Sequence, residues 1–203
     1  MPALDLKLST RHVQAVLDKA EGVSRGLAVV AHPHPLFGGT MDNKVVQTLA
    51  RACVASGRDC LRFNFRGVGS SEGVYDEGRG ETEDLLALVA ELAPDSPLVL
   101  AGFSFGAFVT CQAVQCLWPT GRLKKIILVG TAVSHFPASP LPIEAHEQSL
   151  VIHGESDDTV ALSAVIDWAR PQQLPVTVFP GTGHFFRGQL PLLKSLAMRH
   201  LRA

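Results

Sequence analysis

Pro97-Leu98-Val99-Leu100-Ala101-Gly102-Phe103-Ser104-Phe105-Gly106 is a short apolar run that ends in Gly-x-Ser-x-Gly. The segment behind it, Ala107 to Leu117, is apolar with the composition of a buried helix. A pentapeptide of this kind carries meaning only in such a strand–turn–helix setting. There the turn is so sharp that the serine must take an unfavourable backbone conformation, and only glycines leave room for the neighbouring strand and helix. The strain lifts the hydroxyl clear of the surface. The N–H of the next residue then points, from a helix N terminus, to where an oxyanion would develop. Ser104 is accordingly expected to be a nucleophile, with the Phe105 N–H as one oxyanion donor.

Outward from this turn, apolar and amphipathic runs alternate. Strand-like runs are Gly26 to His32, Cys60 to Phe65, Leu98 to Gly102, Lys125 to Gly130, Leu150 to His153 and Val176 to Phe179. Helix-like segments fall near Asn43 to Ser56, Arg79 to Leu92, Gly106 to Leu117, Leu162 to Trp168 and Gln189 to Leu201. Short continuous apolar strands separated by helices predict an α/β fold with a mostly parallel central sheet covered on both faces. At the N terminus, Lys7, Ser9 and Gln14 alternate with apolar neighbours, which predicts an antiparallel hairpin from Leu4 to Ser9 and His12 to Leu17 over a strand followed by a helix. No linker or repeat divides the chain, and residues 1–203 are expected to form one domain.

Composition excludes several functions. The formal net charge is −1, with one Tyr and two Trp and no basic stripe, so neither a nucleic-acid surface nor a base-stacking platform is expected. No basic segment followed by a long apolar run opens the chain, and no apolar stretch nears the roughly 18 residues of a membrane span, which points to a cytoplasmic protein. The four cysteines (Cys53, Cys60, Cys111, Cys116) lack CxxC spacing and are expected to be reduced, buried thiols. His32 and His34 form an H-x-H pair, but no further ligand stands at metal-site spacing, so no metal and no cofactor are expected. Gly67-x-Gly69 lacks the third glycine of a dinucleotide loop.

In an open α/β sheet, ligands bind at the carboxyl ends of the strands. The segments found there are His32-Pro33-His34-Pro35-Leu36-Phe37-Gly38-Gly39, Thr131-Ala132-Val133-Ser134, Gly154-Glu155-Ser156-Asp157-Asp158 and Gly181-Thr182-Gly183-His184-Phe185-Phe186. A serine, an acid and a histidine therefore follow one another on post-strand loops as Ser104, Asp157 and His184. With the His-Pro-His-Pro-x-x-Gly-Gly loop and Arg66-Gly67-Val68-Gly69-Ser70-Ser71, the sequence resembles the α/β-hydrolase superfamily, and within it the small lidless bacterial hydrolases that carry this loop.

The resemblance implies a serine hydrolase of carboxylic esters or thioesters, working through an acyl-enzyme without a cofactor. Ser104 would attack, His184 would relay the proton, and a carboxylate would hold the imidazole. In similar proteins that acid lies three residues past the strand-end glycine, which selects Asp157 over Asp158. Pro33 and Pro35 have no N–H, so the second oxyanion donor would be Leu36, then His34, or Phe37 if the loop folds back. Arg66 is expected to brace its loop through backbone carbonyls, with a substrate-carboxylate ligand as the alternative, and Phe185 or Phe186 to line an acyl pocket. Thr131 to Gln148, where many relatives insert a helical cap, contains Pro137, Pro140 and Pro142 and should hold no useful helix, leaving an open site for a small-molecule acyl substrate. A peptidase or acyltransferase would use the same residues; a non-catalytic binding protein on the same fold is the alternative from another class. The sequence gives no oligomeric state.

Overall fold

The computed structural model describes residues 4–8 and 11–203. Eight strands form one sheet: β1 (Leu4–Lys7), β2 (His12–Asp18), β3 (Leu27–Ala31), β4 (Asp59–Phe63), β5 (Leu98–Phe103), β6 (Leu123–Val129), β7 (Ser149–Gly154) and β8 (Val176–Phe179). Five α-helices connect them: α1 (Lys44–Ala55), α2 (Arg79–Leu92), α3 (Phe105–Leu117), α4 (Leu162–Ala169) and α5 (Leu190–Arg202). The strand order is β1-β2-β4-β3-β5-β6-β7-β8. β1 and β2 form an antiparallel hairpin, with Leu6 opposite Val13, and β2 runs antiparallel to β4; every other pair is parallel. The expected N-terminal hairpin is present, although Ser9, to which its first strand was extended, lies outside the described residues.

The central strands are apolar at consecutive positions because both faces are covered. On β5, Leu98 and Leu100 enter the core under α2, α3 and α4, whereas Val99, Ala101 and Phe103 enter the core under α1 and α5. Burying each of the leucines, Val99 and Phe103 contributes about 1.5–3 kcal/mol, so a charge at any of them would destabilise the layer it enters. Helix starts are locally coded. Asn43 caps α1 by accepting from the Val45 N–H at 2.8 Å. Glu81 reaches back from the first turn of α2 to accept from Gly78 N–H at 2.8 Å and Asp76 N–H at 2.9 Å.

The Thr131–Gln148 interval forms no α-helix; it ends in a 3-10 turn, Ile143–Gln148. The segment is pinned to the body of the molecule: Gln112 accepts from Ser139 N–H at 2.9 Å, Gln115 donates to Pro140 O at 2.8 Å and Trp168 donates to Ala138 O at 3.1 Å. It therefore lies flat on α3 and α4 and does not rise over the strand ends as a cap. No helix among the described residues is long and apolar enough to cross a membrane. The four cysteines are free; Cys53, Cys60 and Cys111 are buried, but Cys116 is exposed, contrary to the expectation for all four.

Candidate active site

The turn between β5 and α3 is the strained element that the glycines predict. Ser104 has φ 57° and ψ −117°, an unfavourable region for a residue with a Cβ. Backbone hydrogen bonds hold it there: Ser104 N–H donates to Val129 O at 2.8 Å, and Ser104 O accepts from Ala107 and Ala132 N–H groups at 3.0 and 3.3 Å. A Cβ on Gly102 would lie 2.3 Å from Gly106 O, and one on Gly106 would lie 2.3 Å from Ala31 O. Both glycines are required by backbone-to-backbone approach.

Three loops converge on the serine. Ser104 Oγ lies 3.0 Å from His184 Nε2, and His184 Nδ1 lies 2.7 Å from Asp157 Oδ2. The hydroxyl donates to Nε2, and Nδ1–H donates to the carboxylate, which fixes one tautomer of the neutral ring. The His184 ring rests on Phe103, centroids 4.9 Å apart and planes 34° apart, and Gly130 leaves it space, since a Cβ there would stand 3.2 Å from His184 Cε1. Phe186, fully buried, anchors the loop from below. It is thus a core residue, and of the two phenylalanines expected near an acyl pocket only Phe185 reaches the surface.

Asp157 is buried and its second oxygen accepts from Val160 N–H at 2.8 Å and Thr159 N–H at 3.0 Å. Burial pushes its pKa up, but the hydrogen bonds from His184 and from these N–H groups outweigh it and hold the carboxyl below its ordinary value. Asp158 is exposed and, among the described residues, accepts only from Thr159 Oγ1, at 3.4 Å. Gly154 lets the two loops meet, as a Cβ there would lie 2.3 Å from Thr182 O.

Sequence reading missed His153. Fully buried at the end of β7, it donates from Nε2 to Val160 O at 2.8 Å, with Asp157 Oδ2 3.5 Å away, and its Nδ1 has no partner among the described residues. Burial lowers its pKa, and the ring stays neutral. Its only sequence signal is a polar residue at the tail of an apolar strand, four positions before Asp157.

The His-Pro-His-Pro loop is held by its first histidine. His32 Nδ1 donates to Pro33 O at 2.6 Å and Nε2 accepts from Phe65 N–H at 2.9 Å, which ties the loops after β3 and β4 together. Burial lowers the His32 pKa to about 4, so it is neutral. Of the candidate oxyanion donors, Leu36 N–H points to the imidazole of His34 (3.2 Å to Nδ1) and Phe37 N–H donates to His34 O at 3.2 Å. The N–H groups of His34 and Phe105 meet no acceptor among the described residues. Of the three expected candidates, the Leu36 and Phe37 N–H groups are thus engaged within the loop. Arg66 sits buried, bidentate on Asp84 at 2.9 Å for both contacts and bonded to Gly80 O at 2.6 Å; it braces the β4 loop against α2.

Two grooves neighbour the residues around the serine, although Ser104 itself lines neither. One, ≈ 610 Å³, is lined by Tyr75, Phe108, Gln112, His135 and Phe136. Beneath it the Phe105 ring lies 5.0 Å from Phe136 and 5.8 Å from Tyr75. The other, ≈ 470 Å³, is lined by Phe185 with Asn43, Lys44, Val45 and Arg187. A cavity of ≈ 1000 Å³ lies elsewhere, among Asp18, Asp42, Arg51, Arg62 and Lys194, and none of Ser104, Asp157 or His184 lines it.

The family model described as the α/β hydrolase fold matches residues 34–146, more than half of the chain and including the serine turn. The chain belongs to the α/β-hydrolase fold family. Among solved structures, this hydrolase is similar to XC6422 from Xanthomonas campestris, described as an α/β serine hydrolase without lid, at 35% identity over 99% of this chain and 93% of that one, with a TM-score of 0.87. It is also similar to an α/β serine hydrolase homologue from Coxiella burnetii, at 34% identity over 98% and 97% of the two chains, TM-score 0.83. A human palmitoyl-protein thioesterase, mitochondrial ABHD10, shares 29% identity with the hydrolase over 57% of its length, which is 36% of the human protein.

Proposed function

We propose that this hydrolase cleaves carboxylic esters or thioesters through an acyl-enzyme on Ser104. The observation that carries the reading is the continuous hydrogen-bonded chain Ser104 Oγ–His184 Nε2–His184 Nδ1–Asp157 Oδ2 at 3.0 and 2.7 Å. As Ser104 Oγ attacks the acyl carbon, its proton passes to His184 Nε2, and the buried Asp157 carboxylate stabilises the imidazolium. The carbonyl oxygen becomes an oxyanion facing the N–H groups of Phe105 and His34. His184 then gives the proton to the leaving oxygen or sulfur as the acyl–leaving-group bond breaks. Water repeats the sequence, releasing the carboxylic acid and returning the proton to Ser104. The reaction balances with water as co-substrate and calls on no cofactor.

The thioesterase among the relatives supports the thioester branch, and the pinned Thr131–Gln148 segment supports an open site suited to small or partner-presented acyl groups. The test is intact mass after incubation with a fluorophosphonate, comparing wild type with Ser104→Ala, followed by turnover of a short acyl ester and thioester. One adduct on wild type, none on Ser104→Ala, and a loss of turnover of about 10⁴-fold or more is expected. A folded wild type that takes no adduct would transfer the protein to the non-catalytic binding reading.

A further inference from the structure

Resting on the acyl-enzyme reading above, we propose that the substrate lies across Ser104 with its acyl chain in the Tyr75–Phe108–Phe136 groove and its leaving group in the Phe185–Lys44–Arg187 groove, and that this leaving group bears phosphate. The direction follows from proton transfer. His184 Nε2 must reach the departing atom, so the leaving group exits on the imidazole side of the serine. Phe185 marks that side: its ring meets the His184 ring edge-on, centroids 5.2 Å apart at 81°, and it is 48% exposed where it lines the smaller groove. The larger groove lies over the ring of the residue after the nucleophile. Phe108 and Phe136 stack there at 5.0 Å and 18°, an apolar wall suited to a hydrocarbon chain.

The two grooves differ in charge. The acyl-side groove carries Glu77 and Arg79 together, and Arg79 is paired with Asp76 at 2.9 Å. The His184-side groove has Lys44 and Arg187 in its lining and no carboxylate. Among the described residues neither cation forms an ion pair, and the nearby acid Asp42 is engaged by Arg62 at 3.1 Å. The N terminus of α1 is capped by Asn43 itself and is not used. Two unpaired cations across one groove match the charge of a phosphate, which guanidinium can bind in bidentate fashion. Both are exposed, so each contact is modest and sensitive to salt.

The test pairs charged and neutral leaving groups on one acyl chain: octanoyl-coenzyme A against S-octanoyl-N-acetylcysteamine, and 1-octanoyl-glycerol 3-phosphate against 1-octanoyl-glycerol. These are compared in wild type and in Lys44→Ala/Arg187→Ala, whose folding is checked by Tm. Wild type should prefer the phosphate-bearing member of a pair in kcat/KM by about tenfold. The double variant and 0.5 M NaCl should each erase that preference, lowering kcat/KM on the phosphate-bearing member about tenfold more than on its neutral partner. Preference in the thiol pair alone, or in the alcohol pair alone, identifies the source of the phosphate. Equal rates on charged and neutral members, or a preference that survives the double substitution, would overturn the proposal while leaving the acyl-enzyme reading intact. Hydrolysis of none of the four by a protein that also refuses the fluorophosphonate would remove both.

Discussion

At the scale of single residues, the site depends on how a carboxylate is held. Asp157 has two backbone N–H donors on one oxygen and His184 on the other, while Asp158, its sequence neighbour, faces solvent. Asp157→Asn should therefore lower kcat/KM by about 10⁴-fold through the wrong imidazole tautomer, and Asp158→Asn should change it by less than about twofold. Steady-state kinetics on the two variants decides this, and the reverse ranking would move the acid role. His153 lies beside the same carboxylate, its Nε2 3.5 Å from Asp157 Oδ2. Its buried Nδ1, without a partner among the described residues, is a standing cost of about 1–3 kcal/mol, sustained because Nε2–H fixes Val160 O beside Asp157. Replacing it with Phe should lower kcat by about 3- to 10-fold with KM unchanged, the size of one lost hydrogen bond. His153→Gln should recover part of the loss, and an unchanged kcat in both would make the residue purely a packing element.

At the scale of elements, the β5–α3 turn is fixed by contacts that no side-chain substitution can relax. Ala at position 106 would push a methyl to within 2.3 Å of Ala31 O, in the backbone of β3. Gly106→Ala is expected to cost about 3 kcal/mol or more, from overpacking against main chain, and to open the hydrogen bond between Ser104 and His184. Denaturant unfolding checks the first, and loss of fluorophosphonate labelling in the fraction still folded checks the second. The loop after β3 is fixed differently. It contains two prolines and is clamped by His32 between Pro33 O and Phe65 N–H, so the His34 N–H, the second oxyanion donor proposed above, is held in place before any substrate arrives.

At the scale of the whole molecule, buried histidines link stability to pH. His32 is neutral in the fold with a pKa of about 4, against about 6.5 in the unfolded chain. The unfolded state therefore binds more protons between those values, and stability falls as pH drops from about 6.5 to 4, by up to about 3 kcal/mol from this residue. Asp157 has the opposite protonated form but the same sign: its depressed folded pKa contributes stability above the unfolded carboxylate value and loses it as pH falls further. Tm by calorimetry should be flat above about pH 7 and drop steadily below 6.5, and His32→Asn, less stable at pH 7, should show a shallower drop. A Tm constant from pH 7 to 4.5 would show that these groups charge without cost.

The sequence by itself determined the alternating layers, the strand carrying Ser104 and the loops carrying Asp157 and His184, because strand-length apolar runs, glycines at a turn and prolines in a loop are local signals. The choice of Asp157 over Asp158 came instead from the family resemblance, which places the acid three residues past a strand-end glycine. The tertiary structure alone decided which N–H groups stay free in the His-Pro-His-Pro loop, since Leu36 and Phe37 spend theirs on His34, a contact set by how the loop folds back. It alone sent Phe186 into the core and Phe185 to the surface, placed His153 beside Asp157, and brought α1 beside the His184 loop to join Lys44 with Arg187. These are meetings between residues far apart in the chain, and no local period or propensity encodes which side of a loop will face a partner that folding supplies.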